Sequence, residues 1–350
     1  MSDNALHVLR ATPANCFWGF FDRSLPPVLT VRSGDVVHVE TLTHQAGDAP
    51  DVLMDDGVRA VYEGIPPSER GPGVHVMTGP IAVEGARPGD TLEVRVLAMS
   101  PRVPYGTNIG AWWGYLYDEM RKERITIYRV DAASGFAQAA FAFDYTHSPR
   151  YDAPGTIIPA ESTKRTPALE GVLVPLRPHF GVMGVAPAES GKVNSIPPRE
   201  FGGNVDNWRL GPGATMYYPV QCEGALFFVG DPHMAEGDGE LSGTAIESSA
   251  DGWLQLSVRR DLPTDSPLLE TATHWYTHGF GADLDEAMRQ AALRMLAFLG
   301  RRYGLSRDDA YSLLSVAGDF GVTQVVDQRM GIHVGVPKGA FPPGVTRRRA

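Results

Sequence analysis

One periodicity governs most of the chain. From Val28 to about residue 262, apolar and polar side chains alternate in short runs, each run ended by Gly, Pro or Asp. Alternation with a period of two puts successive side chains on opposite faces, as in a half-buried β-strand. Residues 28–42, VLTVRSGDVVHVETL, read as strand, Ser33-Gly34-Asp35 turn, strand. Residues 77–99, MTGPIAVEGARPGDTLEVRVLAM, repeat that grammar around Arg87-Pro88-Gly89-Asp90. GVLVPLRPHFGVMGVAP (171–187) and TMYYPVQCEGALFFVGD (215–231) continue it. The 39 Gly and 28 Pro residues supply the turns that so many short strands require. The recurring Gly-Asp turn is what duplicated β units would leave in a sequence.

The period changes after residue 266. DLDEAMRQAALRMLAFLGRRYG (283–304) carries an apolar stripe of Leu284, Ala287, Met288, Ala291, Met295, Phe298 and Leu299. Asp283 and Glu286 form a capping box, and Gly304 stops the helix. SRDDAYSLLSVAG (306–318) predicts a second, shorter helix from Ser306 to Gly318, and VTQVVD (322–327) predicts a strand. The expected fold is mostly β, rich in β-sandwich, with a C-terminal α+β element. We divide the chain into an N-terminal β domain (1–145), a polar, Pro-rich linker or long loop (146–170), a β domain carrying the site (171–265), an α+β element (266–340) and a tail (341–350).

Composition narrows the function classes. The net charge of −10 offers nothing to a phosphate backbone, so nucleic-acid binding is not expected. The one basic run, Arg347-Arg348-Arg349, reads as a solvated tail. No apolar stretch approaches the ~20 residues that span a bilayer, and the N-terminus lacks the pattern of a secretory signal. With Cys16 and Cys222 as the only cysteines, there is no disulfide framework. These features together predict a cytoplasmic protein.

The chemistry concentrates in residues 202–247. Gly202-Gly203-Asn204-Val205-Asp206 places two glycines before an amide and a carboxylate, a pattern suited to close approach of backbone to a ligand and equally to a plain tight turn. Asp231 and His233 follow the apolar run ALFFV. In extended chain, residues two apart point the same way, so this carboxylate and imidazole should converge on a divalent metal or act as an acid–base pair. Asp238 and Glu240 add two carboxylates close by, and Glu247 ends the short apolar run TAI. So many like charges repel unless a cation or protons compensate them. A solvated acidic loop remains the alternative for this stretch. His75, in Gly71-Pro72-Gly73-Val74-His75, is a further candidate, and HWYTH (274–278) reads as structural strand or loop.

Nucleophile-based hydrolytic chemistries lack their residues. There is no G-x-S-x-G elbow. ESSADG (247–252) has no lysine partner for a Ser-Ser-Lys arrangement, and Cys222 sits in the strand-like VQCEGALF as a small buried hydrophobe.

On these residues the chain resembles the acetamidase/formamidase family. The likeness lies in Gly202–Asp206 and YPVQCEGALFFVGDPHMAEGDGELSGTAIE, and GDPHMAEGDGE is its most specific part. It extends through FWGFFDRSLPPVLTVRSGDVVHVET, GPGVHVMTGPIAVEGARPGD and AYSLLSVAGDFGVTQVVD, covering about residues 7 to 338. The resemblance implies hydrolysis of formamide, acetamide or similar short amides to carboxylate and ammonia. It also implies a homo-oligomer and a bound divalent cation, with His233 favouring zinc over calcium. We assign catalytic roles to Glu240, Asp206, Asp231 and His233, substrate binding to Asn204, Gly203 and His75, and metal ligation to Asp206, Asp231, His233, Asp238 and Glu247. Ala111-Trp112-Trp113-Gly114-Tyr115 is expected to wall a small substrate pocket, which would favour short amides over long or aromatic ones. Two alternatives stand beside this reading: a hydrolase of another amide or imide, and a non-catalytic β-sandwich module that binds metal or sugar.

Overall fold

The computed structural model describes residues 4–148, 150–151 and 154–342. Its frame is two large sheets packed face to face. One has nine strands and the other is six-stranded in its main layer; a four-stranded sheet and a two-stranded pair complete the β structure. The core between the two large sheets contains Val37, Val39, Leu92, Val94, Val96, Leu254 and Leu256 from the first and Met77, Ile81, Phe180, Val182 and Phe228 from the second.

The two Gly-Asp turns prove to be corners rather than hairpins. Leu29–Val31 lies in the six-stranded layer, parallel to Val76–Val83. Past Asp35 the chain enters the nine-stranded sheet as Val36–Thr41, paired with Ala250–Arg259. The second turn does the same: Val76–Val83 is in the first layer, and Thr91–Pro101 flanks Ala250–Arg259 on its other side. Each alternating segment thus contributes one strand to each sheet, and its apolar residues face inward from both. The Asp35 carboxylate fixes the first corner by accepting from the backbone N–H of Ala5 and of Arg32.

The late change of period holds. Leu284–Tyr303 and Arg307–Ala317 are helices capped by Asp283 and Ser306, each side chain accepting from the N–H three residues on. Ala287, Ala291, Met295, Phe298 and Leu299 pack against Ile332, Val334 and Val336 of the adjoining sheet. Met288, placed in the stripe by its spacing, is largely exposed at the margin of that face. The expected strand at 322–327 instead spans Asp319–Gln324, leaving Val325–Asp327 in a loop.

The segments drawn from the sequence do not map onto separate sheets. The nine-stranded sheet takes strands from Leu6–Leu9 through Met330–Pro337, and so from all three predicted β-bearing segments. The described residues of 146–170 lie mostly in loop and pack on the protein: Tyr151 and Ile158 are buried in a core cluster with Trp18, Leu53 and Ile127. The arginines of the tail lie outside the described residues, and Phe341 stacks on Tyr303 at 3.7 Å. Among the described residues no helix is long and apolar enough to cross a membrane.

Candidate active site

The strand Phe227–His233 carries the centre of the site. It runs antiparallel to His179–Val185, with His179 opposite His233 and Phe180 opposite Pro232. On the other side of His179–Val185, Gly202–Asn204 pairs with Val182–Gly184, which brings Asn204 and Asp206 alongside. Glu247 arrives from a distant loop through single bridges to His233 and Thr107.

Side chains of these segments converge on His233. Its Nε2 lies 3.2 Å from Asp231 Oδ2 and 3.2 Å from Glu247 Oε2. Its Nδ1 lies 3.1 Å from His179 Nε2 and 3.3 Å from Glu236 Oε2. His75 Nε2 approaches Asp231 Oδ2 at 3.6 Å, and its Nδ1 bonds to Ser195 Oγ at 2.9 Å. Asp206 joins Asp231 and His233 in one group of converging ligand atoms and joins Glu240 and Asp327 in another. A third group is His179, His233 and Glu236. All are buried except Asp327, which is half-buried.

The backbone is strained where these acids sit. Asp206, Asp231 and Glu240 have φ of 50°, 53° and 44°, in the left-handed region that costs a non-glycine residue on the order of 1–3 kcal/mol. Three such residues in one site aim carboxylates where a regular strand would not. Gly202, at φ 100°, permits the turn before Asn204, because a Cβ there would meet Met183 O at 2.5 Å. Gly181 lies beneath the ligands. A Cβ on it would stand 2.5 Å from Asp206 Oδ1 and 2.6 Å from both Asp231 Oδ2 and His233 Cε1.

Electrostatics divide the cluster in two. Burial would raise Asp231, but His75 and His233 override it and hold its carboxyl well below the usual range. Burial would lower His233, but Glu247 and Asp231 raise it well above a free imidazole. The other acids move the opposite way. Burial, reinforced by neighbouring acids, pushes Asp206 and Glu240 well up. Burial pushes Glu247 and Asp327 up to about 7. Carboxyls this close cannot all ionise without a compensating positive charge. Buried oxygens on Asn204, Asp206, Asp231, Glu240, Glu247 and Asp327 make no hydrogen bond among the described residues. Unpartnered buried carboxylate oxygens facing an imidazole are a donor set that fits a divalent cation.

The cluster opens into a cavity of about 400 Å3 lined by His75, Asn204, Asp231, Glu240, Glu247 and Asp327 at its polar end. Of the segment 111–115, Trp112 and Trp113 line the same cavity, together with Tyr151 of the long loop, and the space they bound is larger than the small pocket expected.

Most of the sequence candidates meet here: His75, Asn204, Asp206, Asp231, His233, Glu240 and Glu247. Gly203 supports the turn at φ 83° and pairs with Met183. Asp238 does not join them. It is exposed and forms a two-pronged pair with Arg209, at 2.7 and 2.9 Å, and accepts from Trp208 Nε1. The solvated-loop alternative therefore applies to Asp238 and not to Glu240 two residues later. Sequence reasoning missed His179, Glu236 and Asp327. His179 could have been found from the strand pattern of 171–187, Glu236 from its place three residues after His233, and Asp327 only from tertiary structure. Cys222 is buried as expected, but in a turn rather than a strand.

The model of the acetamidase/formamidase family matches residues 15–190 and 188–342. The formamidase of Methylophilus methylotrophus is 27% identical over 357 residues, covering 87% of this chain and 84% of its own. Among solved structures, a predicted acetamidase/formamidase from Thermoanaerobacter tengcongensis superposes with a TM-score of 0.76 at 25% identity, over 99% of this chain and 100% of its own. The acetamidase of Bacillus halodurans superposes with a TM-score of 0.74 at 28% identity, over 95% and 98%.

Proposed function

The chain belongs to the acetamidase/formamidase family, and from that premise we propose that it hydrolyses the C–N bond of short primary amides, formamide and acetamide among them, to carboxylate and ammonia. The observation that carries this reading is the convergence of Asp231 and Glu247 on His233 Nε2, each at 3.2 Å, at the buried end of a cavity open to a small molecule.

We place a divalent cation with Asp206, Asp231 and His233, with Glu247, Glu240 and Asp327 in reach, and zinc in preference to calcium because an imidazole is among the donors. Such an ion, when bound, supplies a Lewis acid for the amide carbonyl and makes water more acidic. The rest of the work falls to the chain. Asn204 Oδ1 is buried, borders the cavity and has no partner among the described residues, so it accepts an N–H of the substrate amide. Glu240, which would be ionised once a cation offsets the neighbouring acids, takes a proton from water as the water oxygen adds to the carbonyl carbon. It returns that proton to the amide nitrogen as the C–N bond breaks. The products are one carboxylic acid and one ammonia, which exchange a proton in solution. His179 and Glu236 fix the ring of His233 from its Nδ1 side. The strained φ of Asp206, Asp231 and Glu240 holds the carboxylates ready before substrate arrives.

We propose in addition that the protein is cytoplasmic and forms a homo-oligomer. Ammonia release from formamide and acetamide, measured before and after prolonged chelation, tests the function. Release that falls on chelation and returns with zinc supports it; no release from any amide refutes it.

A further inference from the structure

The cavity is much larger than the substrates just named, and this rests on the amidase reading of the same site. Taking roughly 30 Å3 for a water-sized group, the four non-hydrogen atoms of acetamide fill on the order of 100 Å3. The cavity measures about 400 Å3. Its polar end is accounted for by the acids and Asn204. The remainder is walled mainly by Val74, Trp112, Trp113, Tyr151, Ile196 and Val326, with the polar His44, Gln45, Thr244 and Gln328 among them.

That wall is rigid. Trp112 and Trp113 meet edge to face at 5.7 Å, and so do Trp113 and Tyr151. Tyr151 is held by three hydrogen bonds. Its N–H donates to Glu123 at 2.5 Å, its carbonyl accepts from Trp112 Nε1 at 2.7 Å, and its hydroxyl donates to Asp48 at 2.9 Å. Polar atoms on this lining, Trp113 Nε1 and Gln45 Oε1 among them, can hold water, but the ring faces offer it no partner, and an apolar group gains there from burial without reordering the wall.

We infer that the site also hydrolyses primary amides whose acyl group is bulky, flat and apolar, with the ring seated between the Trp112–Trp113–Tyr151 wall and Ile196. Each added methylene in an apolar pocket is worth about tenfold or more in specificity. The rise in kcat/KM should therefore run from acetamide through butyramide to phenylacetamide.

Ammonia release is measured for formamide, acetamide, butyramide and phenylacetamide with the full chain, and repeated for Ile196→Phe and Trp113→Ala. The expected result is a kcat/KM for phenylacetamide at least tenfold above that for acetamide, with the ratio lowered at least tenfold in either variant. Turnover of acetamide with equal or lower kcat/KM for phenylacetamide overturns the inference and leaves the amidase reading standing. No turnover of any amide overturns both. The unsubstituted protein decides the matter even where a variant fails to fold.

Discussion

His179 stands directly opposite His233 in the pairing of their strands, and the two rings meet edge to face with centroids 4.8 Å apart. The far side of the His179 ring is fixed as well, Nδ1 lying 2.6 Å from Arg177 O. An imidazole held at both nitrogens orients the group it contacts, here His233 together with Glu236.

Replacing His179 should therefore loosen His233 without removing it. His179→Ala is expected to lower kcat/KM for acetamide by about 10- to 100-fold and to weaken metal retention by a similar factor. Titrating the variant and the parent with a competing chelator checks this, and unchanged affinity would show His179 to be packing alone.

Gly181 gives a more local test, since its missing side chain leaves room for Asp206, Asp231 and His233. Gly181→Ala puts a methyl within 2.6 Å of all three, so these groups must separate. We expect loss of at least 100-fold in kcat with a native far-UV spectrum. Retention of full turnover would mean that the three groups do not act as one unit.

Asp238 makes the opposite prediction. Its pair with Arg209 is partly exposed, and exposed pairs contribute about 0–1 kcal/mol. Asp238→Ala should keep bound metal, hold kcat/KM within a few-fold and lower stability by no more than that amount in denaturant titration.

These contrasts show what the sequence could and could not carry. Asp231 and His233 were legible through a local relation, as neighbours two apart in a strand-like run, although Asp231, at φ 53°, departs from the extended backbone on which that reading rests. Gly202 and the capped helices were legible for the same reason. Asp238 and Glu240 could not be told apart, since the Arg209 that draws Asp238 outward is about thirty residues away. Asp327 enters from the loop after Gln324, and no spacing predicts that meeting. The Gly-Asp turns were read correctly as turns, but a turn does not say whether the next strand stays in its sheet or crosses to the facing one.

Asp48 offers a pH-dependent test at the edge of the site, bonded to Tyr151 and Thr107. Burial, with a slight further push from Glu247, raises its carboxyl to about 7, against the bonds from Thr107 and Tyr151 that would lower it. A raised acid stays protonated in the folded chain while the unfolded chain ionises. Its stabilising contribution is therefore complete below about pH 3.9, is lost as pH rises toward 7, and stays lost above that. Asp48→Asn removes this dependence. Its stability relative to the parent should improve between pH 4 and 7, by at most about 4 kcal/mol, and level off beyond. Parallel melting curves for the two proteins across that range would contradict the assignment.

The most direct test of the account measures bound metal and ammonia release in the same preparations of the parent, Asp231→Asn and His233→Ala, with far-UV spectra alongside. The account predicts about one or more equivalents of a divalent transition metal per active chain. It also predicts that both variants lose most of the metal and at least 100-fold in acetamide turnover while remaining folded. Active enzyme without stoichiometric metal, or full turnover in both variants, would contradict it and put the chemistry elsewhere in the molecule.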